Sequence, residues 1–368
     1  MNTNYNNSKG IILTLDAGGT NFVFTAIQMG NEMGESIMLS ANSESQDTCS
    51  GVIIQGFELL IKKLTEPVLA ISFAFPGPAD YPHGIIGDLP NFPGINGNYP
   101  LKLILENHFN LPVFINNDGN LFAYGEALAG TLPLINKKLE KNRAGKRFNN
   151  LIGLTLGTGF GSGIVINGKL LNGDNSCEAE IHNLAHPNND SINIEASVST
   201  NAIQKLYTNI ANTSLETKLM PKDIYDIAKG NLDGNKNAAI KVFENYGSAL
   251  GYAITNTLTF IDGLIVIGGG IASAWDLFSI SMFEAINKPY KYDNKLAPRT
   301  TVKVFDLENQ TSVEEFIEGN IVQIKSKYLD KEIIYDSVPR TGVILSKLGA
   351  SKSISLGAYY FAMAQLRK

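Results

Sequence analysis

Ile11-Ile12-Leu13-Thr14-Leu15-Asp16-Ala17-Gly18-Gly19-Thr20-Asn21-Phe22-Val23-Phe24-Thr25-Ala26-Ile27 is the stretch that decides the fold class. A mostly apolar run ends on a carboxylate and turns through two glycines and a threonine. The chain then continues in an alternating strand pattern. This predicts a buried strand over 11–16, a tight turn and a second strand over 22–27. The plan recurs downstream. Leu151-Ile152-Gly153-Leu154-Thr155-Leu156 runs into Gly157-Thr158-Gly159 and a further strand over 162–166. Two such units in one chain point to two similar lobes facing a shared cleft. Around them, strands over 68–75, 112–115, 264–267, 301–305 and 332–335 alternate with helices over 52–64, 101–109, 201–207, 236–260 and 355–365. A further helix starts near 273. Asp118 or Asn120 would cap another, running to about 129. Alternation of this kind argues an α/β fold with largely parallel sheets. Residues 80–99 are rich in Pro, Gly and Asn and read as loop. Residues 136–150 are polar and basic and read as a solvated excursion.

Composition narrows the function classes. The chain has 368 residues, enough for two lobes, and 44 % of them are hydrophobic, so a packed core is within reach. Lys and Arg number 30 against 35 Asp and Glu, for a formal net charge of −5. No basic excess exists to bind a phosphate backbone, so no nucleic-acid partner is expected. Cys49 and Cys177 are the two cysteines, too few for a disulfide framework or a Cys-rich zinc site. The first nine residues are polar, unlike a signal peptide. The longest apolar candidate, 250–267, is interrupted by Asn256, Asp262 and Gly263. A cytoplasmic protein with no membrane partner is the expectation.

Several residues can carry chemistry. Glycines let backbone N–H groups approach an anion, and Thr20 or Thr158 adds a hydroxyl donor. Either turn alone reads equally well as a plain hairpin. The pair, with Asp16, favours phosphate binding. Asn117-Asp118 stands where a strand meets a helix, and a carboxylate there can accept a proton from a substrate hydroxyl or cap the helix. Gly268-Gly269-Gly270 follows an apolar strand, as a strand-to-helix turn or as a flat border for a nucleoside. Glu178, Glu180, His182, His186 and Glu195 form a polar group better read as a sugar-binding or solvated loop than as a metal site. Cys177 reads as a small buried or half-buried thiol.

The ordered set Asp16-x-Gly-Gly-Thr20, Pro76-Gly77-Pro78, Pro90-Asn91-Phe92-Pro93-Gly94, Asn117-Asp118-Gly119-Asn120, Leu156-Gly157-Thr158-Gly159 and Gly268-Gly269-Gly270-Ile271-Ala272 resembles the ROK family of repressors and sugar kinases. The resemblance covers about residues 11–280 and the last helix. It implies the two-lobed actin-like ATPase (ribonuclease H-like) fold, with the active site in the interlobe cleft. The small lobe would be 1–118, with helix 355–368 packing on it, and the large lobe 119–354. It implies ATP and Mg²⁺ as cofactors. Asp16 would orient Mg²⁺ through water. Gly18, Gly19 and Thr20 would hold phosphates on one side, Gly157, Thr158 and Gly159 on the other. Gly268, Gly269 and Gly270 would border the adenosine. Asn91, Asn117, Asp118, Glu180 and Glu195 would bind the sugar, with Asp118 as the base.

Three departures from the family pattern stand out. Asn183 occupies the family's histidine position, beside His182. The Cys-x-Cys-x₄-Cys run between that position and Glu195 is missing, so no structural zinc is expected. Residues 136–150 and 289–348 are longer than in compact members. The resemblance implies a homodimeric hexose kinase acting on the 6-hydroxyl of glucose or of an N-acetylhexosamine. A sugar-responsive regulator is the rival, but only about ten residues precede the first strand, which leaves no room there for a helix-turn-helix. An acetate or glycerol kinase fits the Asn117-Asp118 block less well.

Overall fold

The computed structural model describes residues 10–17, 21–41, 45–89, 97–212, 219–328 and 331–367. Gly18, Gly19, Thr20 and Asn91 lie outside them. The chain divides into two compact units. One comprises Met1–Thr131, Gly163–Glu178 and Leu348–Lys368, the other Leu132–Ser162 and Ala179–Lys347. The first break therefore follows Thr131 instead of 118.

The first unit is built on strands β1 (Ile11–Ala17), β2 (Asn21–Gln28), β3 (Asn31–Ser40), β4 (Val68–Ala74) and β5 (Val113–Asn116), in the order β3-β2-β1-β4-β5. β1, β2 and β3 pair antiparallel, whereas β4 and β5 add in parallel. The period of two in β2 turns Phe22, Phe24 and Ala26 into the core. Helix α1 (Gln46–Ile61) starts at a Ser45 capping box and lays Cys49, Ile53, Phe57 and Leu60 inward. Phe57 meets Phe24 edge-on, with ring centroids 5.0 Å apart. Burial pushes the Cys49 thiol up to about 11, so it is an inert packing group. Cys177 is exposed, contrary to its expected burial. Helices α2 (Leu101–Phe109) and α3 (Asp118–Leu128) flank β5 in sequence.

Residues 136–150 are not one solvated excursion. Helix α4 spans Thr131–Lys141 and buries Leu132, Ile135 and Leu139, one stripe at helical spacing. Pro133 sits in its first turn, where its missing N–H costs nothing.

A second sheet repeats the plan of the first. β6 (Leu151–Leu156), β7 (Phe160–Ile166), β8 (Lys169–Leu170), β9 (Leu264–Gly268), β10 (Lys303–Asp306) and β11 (Arg340–Leu345) lie in the order β8-β7-β6-β9-β11-β10. β7 and β8 are antiparallel, and β6, β9, β11 and β10 are mutually parallel. Helices α5 (Thr200–Ala211), α6 (Pro221–Lys229), α7 (Lys236–Phe260) and α8 (Trp275–Asn287) bury Ile203, Ile224, Phe243, Leu250 and Phe278 in one core with Ile152, Leu154, Ile265 and Ile267. Helix α9 (Gln310–Glu318) precedes β11.

β11 opens on a fully buried charge. Arg340 forms an ion pair with Asp336 at 2.6 Å, and its Nε donates to the Phe316 carbonyl at 2.6 Å. Burial pushes the Asp336 carboxyl up, but Arg340 and the backbone N–H groups of Asn320 and Val338 outweigh it and hold it below its usual value. The chain ends in helix α10 (Ala350–Gln365), which packs on α3, β4 and β1 within the first unit. No helix among the described residues is long and apolar enough to cross a membrane.

Candidate active site

In the first unit, two carboxylates stand at the C-terminal ends of two parallel strands that flank β4 in one sheet, where α/β folds carry their ligands. Asp16 is half-buried near the end of β1, paired with Val23 across the hairpin. The Ser351 hydroxyl, in the first turn of α10, donates to its Oδ2. The Thr14 and Ser355 hydroxyls, 2.9 Å apart, join the same strand and helix.

Asp118 opens α3 directly after β5. The capping role goes to Asn117 instead of Asp118 or Asn120. Asn117 has extended backbone angles, and its Oδ1 accepts the Asn120 N–H at 2.6 Å. That leaves its amide N–H groups for a ligand. Asp118 is consequently the first helical residue, and its Oδ1 accepts the Gly119 N–H at 2.9 Å. The residue is exposed, yet the protein crowded around its carboxyl partly desolvates it and raises its pKa above the ordinary value. The Gly119 N–H opposes the rise, and the charge of Asp16 adds to it. A carboxylate so tuned is a better proton acceptor than a free one.

The start of α3 is heavily braced. Asn120 is fully buried, and its Nδ2 donates to Asn116 Oδ1 at 3.0 Å and to Glu178 Oε1 at 2.5 Å. Asn116 Oδ1 also accepts the Asn117 N–H at 2.8 Å. Gly163 of β7 passes so close that a Cβ there would lie 2.4 Å from the Gly119 carbonyl oxygen. At the far end of the helix, buried Glu126 accepts from the Ser353 hydroxyl at 2.6 Å and from the Thr131 N–H at 2.7 Å, fixing α10 to α3. Sequence reading missed Ser351 as a partner of Asp16 and Glu178 as a partner of Asn120. Neither partnership leaves a local sequence signal, because the paired residues are 335 and 58 positions apart.

In the second unit, Gly157, Thr158 and Gly159 form the turn between β6 and β7. The Gly157 carbonyl accepts from the N–H and hydroxyl of Thr200, at 2.9 and 3.0 Å. Thr158 is exposed at the tip. Glu195 Oε2 accepts the Phe160 N–H at 2.8 Å and lies against Gly159. Glu180 pairs with His182 at 3.0 Å, Asn183 is exposed, and His186 meets the Ser197 hydroxyl at 2.9 Å. The segments bearing Glu180 and Glu195 are joined by the Ile194 N–H to Leu184 carbonyl bond at 2.7 Å. Gly269 adopts φ +93°, and a Cβ there would lie 2.3 Å from the Leu156 carbonyl oxygen, so packing alone demands glycine. Gly157 and Gly270 differ: a Cβ at either would meet nothing within 4 Å. Their backbone faces open room, which suits the close approach of a phosphate or nucleoside. Asp16, a single half-buried carboxylate with a hydroxyl neighbour, suits a hydrated cation. Among the described residues, no group of three or more His, Cys, Asp and Glu is placed to hold a metal ion.

The model of the ROK family matches residues 12–314. A glucokinase of solved structure from Parabacteroides distasonis is 43 % identical, with a TM-score of 0.87 over 98 % of this chain and 99 % of that one. The glucokinase of Thermotoga maritima is 28 % identical over 289 residues, 72 % of this chain and 84 % of that enzyme. A xylose repressor of Bacillus spizizenii is 31 % identical over 210 residues, 52 % of this chain and 50 % of the repressor. The fold is α/β, of the actin-like ATPase class.

Proposed function

This chain belongs to the ROK family, and we propose that within it the protein is a cytoplasmic, homodimeric, ATP- and Mg²⁺-dependent hexose kinase. Its acceptor is the 6-hydroxyl of glucose or of an N-acetylhexosamine, and Asp118 is its general base. The observation that carries this reading is the placement of Asp118. It is the first residue of α3 at the end of a parallel strand, with one oxygen held by the backbone and a raised pKa. Likeness over nearly the whole chain to a glucokinase supports the choice of phosphoryl donor and sugar acceptor.

The residues divide the work. Asn91, Asn117, Glu180, Asn183 and Glu195 hold sugar hydroxyls. Asp118 takes the proton of the attacking hydroxyl as its oxygen bonds to the γ-phosphorus, and the bond to the β–γ bridging oxygen breaks to release ADP. Gly18, Gly19, Thr20, Gly157, Thr158 and Gly159 hold phosphates, and Gly268, Gly269 and Gly270 border the adenosine. Asp16 holds hydrated Mg²⁺, which supplies the positive charge that lets a polyphosphate sit near two carboxylates. Phosphoryl transfer asks little covalent chemistry of the protein, so positioning and charge account for the rate.

The test is a coupled ADP-release assay over a panel of hexoses and N-acetylhexosamines. Sugar-dependent ADP release with one preferred hexose is expected. Saturable sugar binding without turnover would favour a regulator, the reading that the likeness to a xylose repressor keeps in view.

A further inference from the structure

We propose that Glu178 is a positioning residue for the general base, acting through Asn120; this rests on the kinase reading above. Glu178 lies at the end of the loop after β8, far in sequence from α3. Its two oxygens are both engaged. Oε1 accepts from Asn120 Nδ2 at 2.5 Å, and Oε2 accepts the Gly173 N–H at 2.9 Å. The carboxylate thus bridges its own loop to the buried Asn120 in the first turn of α3.

The amide of Asn120 shows why a carboxylate is needed. Both N–H groups of its Nδ2 are used, one on Asn116 Oδ1 and one on Glu178 Oε1. Its Oδ1 is buried with no hydrogen-bond partner. An amide in that setting would gain by flipping if anything nearby could donate to Oδ1. Nothing on Glu178 can, because an ionised carboxylate only accepts. Two acceptors therefore hold the amide in one orientation, and a flip would set its carbonyl against both. The orientation matters because Asn116 Oδ1 serves two donors, Asn120 Nδ2 and the Asn117 N–H. Asn117 in turn caps α3 through the Asn120 N–H. Glu178, Asn120, Asn116 and Asn117 form one connected network, and Asp118 follows on the same turn. A buried polar network of this kind specifies geometry only while each member is satisfied.

Glu178→Gln changes one oxygen to an amide nitrogen and almost nothing in volume. Gln cannot accept from both Asn120 and Gly173. It also offers an N–H to the unpartnered Asn120 Oδ1, the alternative that Glu denies. The flip then strips Asn116 of one donor and loosens the turn bearing Asp118. Misplacing a reacting group by a fraction of an ångström lowers turnover more than affinity, because the sugar is held by several groups and its proton by one.

The experiment compares wild type, Glu178→Gln, Glu178→Asp and Asp118→Asn for kcat, sugar KM, calorimetric sugar affinity and amide exchange. For Glu178→Gln we expect kcat lower by about tenfold or more, sugar KM within about threefold, and faster exchange confined to residues 117–121. Glu178→Asp keeps the charge but is too short to reach both donors, so its kcat should fall between; it serves if the Gln variant does not fold. An equal rise in KM and fall in kcat with exchange raised throughout the unit would mark a merely structural role and overturn the proposal. So would wild-type kcat in Glu178→Gln. An Asp118→Asn variant that keeps its kcat overturns the kinase reading and the positioning role with it.

Discussion

Gly163→Ala inserts a methyl group where two backbones meet. The new Cβ would lie 2.4 Å from the Gly119 carbonyl oxygen and 2.7 Å from the Asn120 Cα, whereas ordinary contact begins at 3.4 Å. About 1 Å of separation must therefore open between β7 and the first turn of α3. No flexible side chain can yield, because both neighbours are backbone. Overpacking of this kind costs about 1–3 kcal/mol. A domain of this size loses roughly 2–4 °C of melting temperature per kcal/mol, so a decrease of about 2–12 °C is expected. The effect on turnover should be larger, because Asp118 rides on the displaced turn. A shift on the order of 1 Å in a proton acceptor costs about a hundredfold in kcat. The assay is steady-state ADP release with thermal melting, and Gly51→Ala is the control. Gly51 is exposed on α1, and a Cβ there meets nothing within 4 Å, so that variant should melt slightly higher with kcat unchanged. A folded Gly163→Ala with kcat within about threefold of wild type would refute the claim that this contact sets the base.

Other perturbations separate fold from site. Arg340→Met leaves the buried Asp336 carboxylate without its partner and should cost about 3–5 kcal/mol by denaturant titration. Because the folded Asp336 carboxyl lies below 3.8, its contribution is present above that pH and lost as pH falls through the folded value. The variant should therefore lose that part of the wild-type decline in acid, and an unchanged acid profile would contradict the pairing. Thr158→Val removes one hydroxyl donor at the β6–β7 turn; kcat/KM for ATP should fall about tenfold, with sugar affinity nearly intact. A change in sugar binding alone would reverse the assignment of that turn. Purified protein should carry less than about a tenth of an equivalent of zinc by elemental analysis, since a structural site would fill tightly. Stoichiometric zinc, with a lower melting temperature on chelation, would revive a site at His182 and His186.

Much of the fold could be read from hydrophobic periodicity alone. The two glycine-turn hairpins, the helix over 236–260 and the strand before Gly268 are strongly patterned, and the structure places elements there. The misses have physical causes. β3 is an edge strand whose residues are largely exposed, so it lacks a buried face to announce it. β11 begins with Arg340 and Thr341, both fully buried, and a charge inside a core reads in sequence as a surface residue. α4 was hidden by Pro133 and by the lysines around its apolar stripe. In the site, Asn117 and Asp118 were legible as a strand–helix junction. That Asn117 caps the helix, and not Asp118 or Asn120, was not, since it depends on which residue adopts extended backbone. The braces from Glu178, Gly163 and Ser351 come from segments distant in sequence.

The central claim is that Asp118 takes the proton from a sugar hydroxyl. The most direct measurement is the kcat of Asp118→Asn beside its calorimetric affinity for the preferred sugar. An amide still hydrogen-bonds a hydroxyl but cannot take its proton, so affinity should stay within a few-fold while kcat falls at least about a hundredfold. In the wild type, kcat should decline in acid with a limb above 3.8, because the raised Asp118 pKa must be exceeded for the base to be free. An Asp118→Asn enzyme with near-normal kcat would contradict the account.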